Sequence, residues 1–537
     1  MMKKITLIFF ISFINNIIFS QSDYTFKKII DLPFGGYATS VKQSSDEGYI
    51  ICGSYYDSLG YLAGNFLLKL SKDGSSLWYK EFPHPWNFAF RDLTIDLAGN
   101  IYVSGSGPDT TGGTDINLII LKTNSSGTIL WSKSYGGLEV DLSWSVDLTS
   151  DNNILATGWT ESYESSGAGA TAYTIKVDLN GNLLWNKFYG DSTFSANYCV
   201  KEVYPNKYVT LGSSGPSGDY GRFSVFDNNG NILVSKNISY SDWLFLPTVT
   251  RYNNGGYLIA GSVGSFSGLG SLRPFLMALD SSYNFLWAKK YVTPTISDAE
   301  EFISINRTSD GNYITSFEPE GVNGTQKSFG MMKLDDSGAI IWGKLYEQNY
   351  FAYPYRLIET KDSGYIEVGF IQKQISLAYQ QPFVIKSNNL GIINGCISDT
   401  SISSVIQNVV PIITPHVSIS SNCIVNNISV SYSNLIMLDS IYCVDSVPST
   451  NGMEQYLINN EVFVYPNPAS SGTTFSLSTE LKKGVLNIFD VTGKKISSKD
   501  FSGLEVSFNR NQLSNGMYFY TIDAENKIIA KGKLIFK

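Results

Sequence analysis

A sequence phrase of about 53 residues recurs seven times along this chain, and it constrains the fold more than any other feature. Each copy has an apolar or aromatic run that ends in Gly, as in residues 48–53 (GYIICG), followed by a strand-like segment that carries Trp and Lys. The Trp positions lie 49 to 55 residues apart and are, in order, Trp78, Trp131, Trp185, Val234, Trp287, Trp342 and Asn394, with Val234 and Asn394 in two degenerate copies. So steady a period indicates stacked copies of one structural unit.

Each repeat predicts four short strands. In the first repeat the predicted strands are Ala38–Gln43, Tyr49–Tyr55, Asn65–Leu70 and Ser76–Phe82. Gly, Asp and Asn between them supply hairpin turns, because these residues tolerate or stabilise turn conformations. A four-stranded unit repeated radially is a β-propeller blade, and the period is similar to that of the kelch repeat. The sequence therefore predicts an all-β chain with a seven-bladed propeller at residues 24–396.

The repeated tryptophans are predicted to pack between blades. A single blade cannot bury both of its faces, so large aromatic side chains are needed in the seams. The packing set is Trp78, Trp131, Trp185, Trp287 and Trp342. The segment Tyr24–Ile30 resembles the Trp-bearing strand of a repeat, and we expect it to complete the last blade and hide its edge.

Composition agrees with this fold and excludes some functions. Aromatic residues make up 14% of the chain and charged residues only 16%, as expected for many short strands. The net charge of -8 argues against a nucleic-acid partner, since phosphate binding needs clustered Lys and Arg. With two histidines, His84 and His416, in unrelated contexts, we predict no metal site and no cofactor.

The first 20 residues have the pattern of a secretory signal peptide. Met1-Met2-Lys3-Lys4 forms a short basic head, an apolar run follows, and Ser20 ends the segment. We expect cleavage near Ser20 and Gln21 and no transmembrane span in the mature chain.

The five cysteines are too few for a disulfide scaffold. Cys52 and Cys199 lie in apolar strands and are expected in the core. A bridge between Cys423 and Cys443 is compatible with an oxidising compartment, and the sequence does not decide the pairing.

No catalytic motif is recognisable, so the catalytic residues stay unassigned. Acidic turns such as residues 178–182 could hold calcium, but they lack EF-hand spacing and a hairpin turn explains them better. First strands of the predicted blades line a central channel, where paired carboxylates could hydrolyse a glycoside. The candidate acids are Glu139, Asp141, Asp147, Glu202, Asp298, Glu300 and Glu301. Their register differs between repeats, and no pair stands out.

The sequence after residue 396 does not follow the repeat. Residues 397–447 alternate apolar and polar positions without the repeat, which suggests either an extra sheet cap or a partial eighth blade. Residues 448–461 read as a linker. The segment 462–537 predicts about seven short strands with turns at Pro466–Pro468, Thr492-Gly493 and Asn515-Gly516, and hence a small β-sandwich.

This last segment resembles the type A C-terminal sorting domains of type IX secretion substrates from Bacteroidetes-type bacteria. The motif residues are Tyr465, Pro466, Asn467, Pro468, Asp490, Gly493, Gly516, Tyr518 and Lys537. The resemblance covers about one seventh of the chain and implies an Ig-like sandwich. It also implies passage through the periplasm, recognition by the type IX machinery, and release or attachment at the cell surface.

Two functions compete for the repeat region. The leading prediction is a secreted or surface-displayed propeller that binds an extracellular glycan or protein without catalysis. The alternative is an extracellular polysaccharide hydrolase or lyase that uses channel acids.

Overall fold

Most of the chain between residues 24 and 536 is described by a computed structural model. The described residues are 24–83, 89–108, 115–163, 169–189, 194–215, 220–240, 243–264, 272–292, 301–318, 329–346, 351–372, 380–394, 400–401, 405–409, 411–415, 424–427, 433–434, 439–444, 462–465, 469–490, 494–510, 513–524 and 527–536. The predicted signal peptide, both histidines and Cys423 lie outside these residues.

The chain divides into two compact units, Met1–Val447 and Pro448–Lys537. The described residues of the first unit are mainly β-strands, with one 3-10 turn at Asn253–Gly255. The strands that follow the sequence repeat are β1 (Phe26–Ile30), β2 (Gly36–Gln43), β3 (Tyr49–Tyr56), β4 (Leu62–Leu70), β5 (Ser76–Pro83), β6 (Ala89–Ile95), β7 (Ile101–Pro108), β8 (Ile116–Thr123), β9 (Ile129–Gly136), β10 (Asp141–Leu148), β11 (Asn153–Thr160), β12 (Thr171–Asp178), β13 (Leu183–Tyr189), β14 (Ser195–Tyr204), β15 (Lys207–Ser214), β16 (Tyr220–Phe226), β17 (Ile232–Ser239), β18 (Trp243–Arg251), β19 (Tyr257–Gly264), β20 (Arg273–Leu279), β21 (Phe285–Val292), β22 (Glu301–Arg307), β23 (Tyr313–Glu318), β24 (Gly330–Leu334), β25 (Ile340–Leu345), β26 (Phe351–Glu359), β27 (Tyr365–Gln372) and β28 (Gln380–Ser387).

Seven antiparallel sheets are built from these strands, and each is a four-stranded meander. Sheets 1 to 6 are β2–β5, β6–β9, β10–β13, β14–β17, β18–β21 and β22–β25, and sheet 7 has the order β26-β27-β28-β1. The first strands of neighbouring sheets lie side by side, and β26 lies beside β2, so the seven first strands form a ring. The space inside this ring is called the axial channel below.

The sequence prediction of an all-β chain with repeated four-stranded units is confirmed. The N-terminal strand β1 pairs with β28 from Phe26 opposite Lys386 to Ile29 opposite Phe383. The predicted use of this strand to complete the last sheet is therefore also confirmed. Cys52 and Cys199 are buried free cysteines, as expected.

Every first strand carries a β-bulge opposite the position where the sequence phrase ends in Gly. In sheet 3 the bulge falls between Ser143 and Ser145, opposite Gly158. A Cβ on Gly158 would overlap the carbonyl oxygen of Leu142, so the missing side chain allows the bulged strand to approach. Equivalent close approaches occur at Gly53, Gly105, Gly212, Gly261 and Gly369. Sheet 6 has Phe317 at this position and keeps the bulge.

The repeated tryptophans lie between sheets, each against the turn of the next sheet. Trp131 of sheet 2 is half-buried, its ring comes within 3.0 Å of where a Cβ on Gly181 would lie, and its Nε1 donates to the carbonyl of Leu179 at 3.1 Å. The other pairs of this kind are Trp78 with Gly127, Trp185 with Gly230, Trp287 with Gly338, and Trp342 with Gly391. In sheet 7, Phe26 of β1 takes the tryptophan position against Gly74 of sheet 1.

Six further strands come from the region after the repeats. They are β29 (Thr400–Ser401), β30 (Val405–Val409), β31 (Ile412–Pro415), β32 (Ile424–Asn427), β33 (Ser433–Asn434) and β34 (Asp439–Val444). In chain order they pair with the outer strands of sheets 6, 5, 4, 2, 1 and 7. We call this segment the outer belt, because it passes around the first unit against the order of the sheets. Among the described residues, β13 of sheet 3 has no partner from it.

The outer belt meets the sheets at a regular interval. A lysine two residues after the Trp position faces one belt residue in each of the six sheets. The pairs are Lys344 with Ser401, Lys289 with Asn408, Lys236 with Pro415, Lys133 with Asn427, Lys80 with Asn434 and Lys28 with Ile441. Successive sheets therefore take seven residues of the belt, except where sheet 3 is passed. This arrangement matches neither a separate sheet cap nor a partial eighth blade.

The second unit has five described strands in one sheet. They are β35 (Val462–Tyr465), β36 (Gly472–Phe489), β37 (Lys495–Asn509), β38 (Gly516–Ala524) and β39 (Lys527–Phe536). The order is β35-β36-β38-β39, and β37 pairs with β36. The sequence predicted about seven shorter strands. The difference arises because the irregularities between Ser476 and Gly484 lie within β36 and do not reverse the chain.

Candidate functional site in the axial channel

Four bulge residues place large side chains at the axial channel. They are Arg91, Trp144, Tyr198 and Tyr355, on the first strands of sheets 2, 3, 4 and 7. All four are half-buried. The Arg91 guanidinium lies 4.6 Å from the centre of the Trp144 ring, and Trp144 meets Tyr198 edge-on at 5.5 Å. Bulges often re-aim a side chain in this way near functional sites.

Further aromatic residues extend this contact around the channel. Tyr198 packs against Phe245 of sheet 5 at 5.0 Å. On the other side, Tyr355 contacts Tyr37 of sheet 1 at 6.0 Å and Tyr353 at 5.1 Å. We call Tyr37, Trp144, Tyr198, Phe245, Tyr353 and Tyr355 the aromatic arc.

Tyr198 and Tyr355 of the arc remain neutral at physiological pH. Burial raises the pKa of Tyr198 and of Tyr355 above the ordinary value. The Tyr198 hydroxyl shares a hydrogen bond of 2.9 Å with the Ser213 hydroxyl. The arc therefore offers ring faces and protonated hydroxyls, a combination suited to a ligand with both apolar faces and polar edges.

Asp92 follows the bulge residue Arg91 on the first strand of sheet 2, and it connects four sheets. It accepts hydrogen bonds from the hydroxyls of Ser40 at 2.7 Å and Ser145 at 3.0 Å, and from the backbone N–H of Val146 at 3.3 Å. Its ion pair with Arg356 measures 2.8 Å. Burial alone would raise the pKa of Asp92, but Arg356 and these hydrogen bonds outweigh burial and lower it. Asp92 is thus an ionised structural tie between first strands.

Two further ionisable groups lie deeper in the channel. Burial raises the pKa of Asp147, which accepts a hydrogen bond from the backbone N–H of Glu202 at 2.9 Å. Burial lowers the pKa of Lys201, whose Nζ donates to the carbonyl of Val249 at 3.1 Å. Among the described residues, no group of three His, Cys, Asp or Glu side chains could hold a metal ion.

The two ends of the first strands differ. Tight five-residue turns close the end after the bulge, and Asp178 shows their construction. Its carboxylate accepts the backbone N–H groups of Asn180 and Asn182, each at 2.8 Å. The predicted turn role of these acidic segments is thereby confirmed, and the same bonds form at Asp227 and Asp335. At the opposite end, which is nearer the bulges, the second strands end and the third strands begin.

The acids that the sequence suggested for the channel do not form one group. Asp141 is buried and accepts hydrogen bonds from Thr160, Ser162 and the backbone of Gly137, so it organises the start of β10. Glu202 accepts the backbone N–H of Asn206 at 2.8 Å. Glu139 is exposed, Asp147 is in the channel, and Glu301 pairs across strands with Glu318. Asp298 and Glu300 lie outside the described residues.

The sorting-motif residues are spread over the second unit. Tyr465 ends β35, and Asp490 follows β36, where its carboxylate accepts the Lys494 N–H at 3.0 Å. Gly516 begins β38, and the Tyr518 hydroxyl donates to the carbonyl of Ser514 at 2.9 Å. Pro466, Asn467, Pro468, Gly493 and Lys537 lie outside the described residues.

The sequence analysis missed the residues of the aromatic arc, because it looked for charge and aligned the repeats on their second and fourth strands. The pattern that reveals these residues lies on the first strand of each repeat. When the repeats are aligned on the Gly, the bulge position holds Thr39, Arg91, Trp144, Tyr198, Pro247, Ile303 and Tyr355. A varied position beside a Gly that six of the seven repeats share is typical of a site on a repeated scaffold.

A family comparison identifies the end of the chain. Residues 463–537 match the model of the "Secretion system C-terminal sorting domain". This match supports the predicted sorting domain and indicates that the protein is exported to the cell surface or secreted. No helix among the described residues is long and apolar enough to cross a membrane.

A curated relative shares part of the sequence. An endo-acting ulvan lyase from Formosa agariphila is 32% identical over 99 residues, which are 18% of this chain and 19% of the lyase. The chain thus aligns with about one fifth of that relative's length.

Solved structures with repeated sheets are similar only distantly. Virginiamycin B lyase from Staphylococcus aureus is 12% identical, with 67% of this chain and 99% of the lyase covered and a TM-score of 0.41. An α-L-arabinanase from Penicillium chrysogenum is 11% identical, with 68% and 98% covered and a TM-score of 0.39. At these values neither structure bears on the function of this chain.

Proposed function

We propose that this protein is a secreted or surface-displayed, seven-bladed β-propeller that binds an extracellular glycan at its axial channel. The seven sheets would be the blades, residues 24–396 the propeller, and residues 462–537 an Ig-like sorting domain for the type IX machinery. The ring of contacts between first strands supports the closed propeller. The sorting-domain match supports the export route.

The aromatic arc carries the proposal of a glycan ligand. Half-buried rings from several sheets contact one another around the channel, and the hydroxyls of Tyr198 and Tyr355 are protonated at neutral pH. Sugar rings present apolar C–H faces that stack on aromatic rings and hydroxyls that accept and donate hydrogen bonds. An arc built from one bulge position of a rigid scaffold is pre-organised for such a ligand.

A glycan array followed by calorimetry on the purified protein tests this function. Tyr198→Ala should weaken binding by about 10-fold or more, since loss of a central aromatic anchor typically costs about 2 kcal/mol or more of binding free energy. Leu130→Ala is the matched control, because Leu130 is 52% exposed on the outer strand of sheet 2. Absence of any glycan ligand, or equal binding by both variants, contradicts the proposal.

The alternative function is a polysaccharide hydrolase or lyase. Its support is that two acids of one channel have opposite shifts: the pKa of Asp92 is lowered, and the pKa of Asp147 is raised. Opposed shifts are typical of acid and base pairs. However, five donors already occupy Asp92, so it is poorly placed to contact a substrate. Release of reducing ends that is lost in Asp147→Asn would favour the enzyme.

A further inference from the structure

Some cations of the first unit are neutralised by ion pairs, and Arg91 has no such pair among the described residues. Lys69, Lys176, Lys333, Arg356 and Lys386 each form an ion pair of 2.6 to 2.9 Å with an aspartate. Arg91 instead lies over the Trp144 ring at 4.6 Å, and among the described residues no carboxylate lies within ion-pair distance of it. Its neighbour Asp92 is bound to Arg356 and cannot neutralise it. The Arg91 guanidinium is thus half-buried and lies over an aromatic face, with no carboxylate partner among the described residues.

The Trp144 indole beside Arg91 adds a hydrogen-bond donor. Trp144 Nε1 is buried and has no hydrogen-bond partner among the described residues. A half-exposed guanidinium has several N–H donors in a fixed planar array that matches carboxylate and sulfate oxygens. Stacking on Trp144 restricts the guanidinium, so less conformational entropy is lost when an anion binds. Acceptor-rich, negatively charged groups are the chemical match for this side of the arc.

Charges of both signs lie on the first strands near Arg91. Lys42 and Lys201 are matched in number by Asp147 and Glu202. Arg91 differs from these four residues in its contact with the aromatic arc, through the Trp144 ring. The guanidinium therefore places a positive charge directly beside the ring faces of the arc.

We propose that Arg91 binds the anionic substituent, a carboxylate or a sulfate ester, of an acidic glycan whose sugar ring contacts the aromatic arc. The inference rests on the proposed glycan-binding function and specifies its ligand class. Trp144 positions the guanidinium, and Arg91 selects the charge.

Three sets of oligosaccharide probes distinguish the possibilities when titrated into the purified full-length protein. Oligogalacturonate supplies carboxylates, carrageenan oligosaccharides supply sulfate esters, and galactan oligosaccharides are neutral. We expect one or both acidic probes to bind more tightly than the neutral probe. Arg91→Gln should weaken the acidic probe about 10- to 100-fold, as expected for loss of a charged hydrogen bond, and leave the neutral probe unchanged.

Control variants separate recognition of the anion from folding and from general charge. Lys72→Ala removes an exposed cation outside the channel and should leave all three affinities unchanged. Arg91→Lys retains the charge without the planar array and should restore only part of the affinity. Equal binding of acidic and neutral probes, with no change in Arg91→Gln, overturns the acidic ligand while glycan binding stands. Failure of every probe and of the glycan array overturns both proposals.

Discussion

In the seam between sheets 4 and 5, the large and the small residue have changed places relative to the other seams. Where five seams have Trp against Gly, sheet 4 has Val234 at the Trp position and sheet 5 has Tyr283 at the Gly position, with a φ of 65°. The Tyr283 ring fills the seam against Phe223 at 6.2 Å and Tyr257 at 5.6 Å. The volume of the seam is thus conserved although each position changes, as close packing requires.

A double-mutant cycle tests this exchange. Val234→Trp alone should overfill the seam and Tyr283→Gly alone should empty it, each lowering the free energy of unfolding by about 2 kcal/mol. The double variant recreates the Trp–Gly pair of the other seams, so we expect it to regain at least about 1 kcal/mol. Urea unfolding of the four proteins measures the cycle. Strict additivity of the two changes would show that the residues do not share one space.

Asp141 should give stability a pH dependence of its own. Burial raises the pKa of Asp141 to about 6, from a value of 3.8 when it is exposed, despite the hydrogen bonds that it accepts. The folded state therefore binds the proton more tightly, and the free energy of unfolding falls as pH rises between these two values and is level above them. The fall amounts to about 3 kcal/mol.

Asp141→Asn should remove this fall, because the amide does not titrate. Unfolding in urea at pH 4, 5, 6 and 7, expressed as the difference between variant and parent, isolates the contribution of Asp141. Glu139→Gln, an exposed carboxylate on the same segment, is the control. Parallel pH profiles of the Asp141→Asn variant and the parent would contradict the assignment.

At the scale of elements, the sequence predicted the ends of strands best where Gly or Asp marks a turn. The predicted strand Ala38–Gln43 is Gly36–Gln43 in the structure, and Ser76–Phe82 is Ser76–Pro83. Asp in five-residue turns sets these ends through side-chain to backbone hydrogen bonds, and Gly does so by adopting a positive φ. Both effects are local and can therefore be recognised in the sequence.

The outer belt and the bulges were not predictable in the same way. Belt strands pair with edges far away in sequence and share no phrase with the repeats, so only the folded arrangement reveals them. The bulge positions also depend on contact between two strands, in which the Gly of one accommodates the carbonyl of the other. The candidate site rests on these bulges, which is why charge alone pointed to the wrong residues, such as the structural Asp141.

The outer belt should protect the protein from self-association. Removing residues 397–447 would expose the outer strands of six sheets, whose free N–H and C=O groups can pair with other molecules. We expect a chain that ends at residue 396 to form oligomers or aggregates, whereas one that ends at residue 447 stays monodisperse. Size-exclusion chromatography with light scattering measures this difference. A monodisperse shorter chain would show that the edges are harmless without the belt.

At the scale of the whole molecule, the two compact units separate two tasks. The first unit holds the channel and its aromatic arc, and no residue of the sorting family match falls within it. The second unit carries the match at residues 463–537 and has its own core, with Phe475, Ile488 and Leu534 buried. The first unit therefore does not need the second unit for its core, and the two can be tested apart.

Deleting residues 462–537 should stop export at the periplasm. The predicted signal at residues 1–20 addresses only the inner membrane, whereas the sorting match is the feature that indicates passage to the outside. Conversely, residues 462–537 fused behind a periplasmic reporter should carry it to the surface or medium of a host with type IX machinery. Immunoblots of periplasm, membrane and medium measure both proteins, and the intact chain is the reference. Normal amounts of the truncated protein outside the cell would show that its export does not depend on this domain.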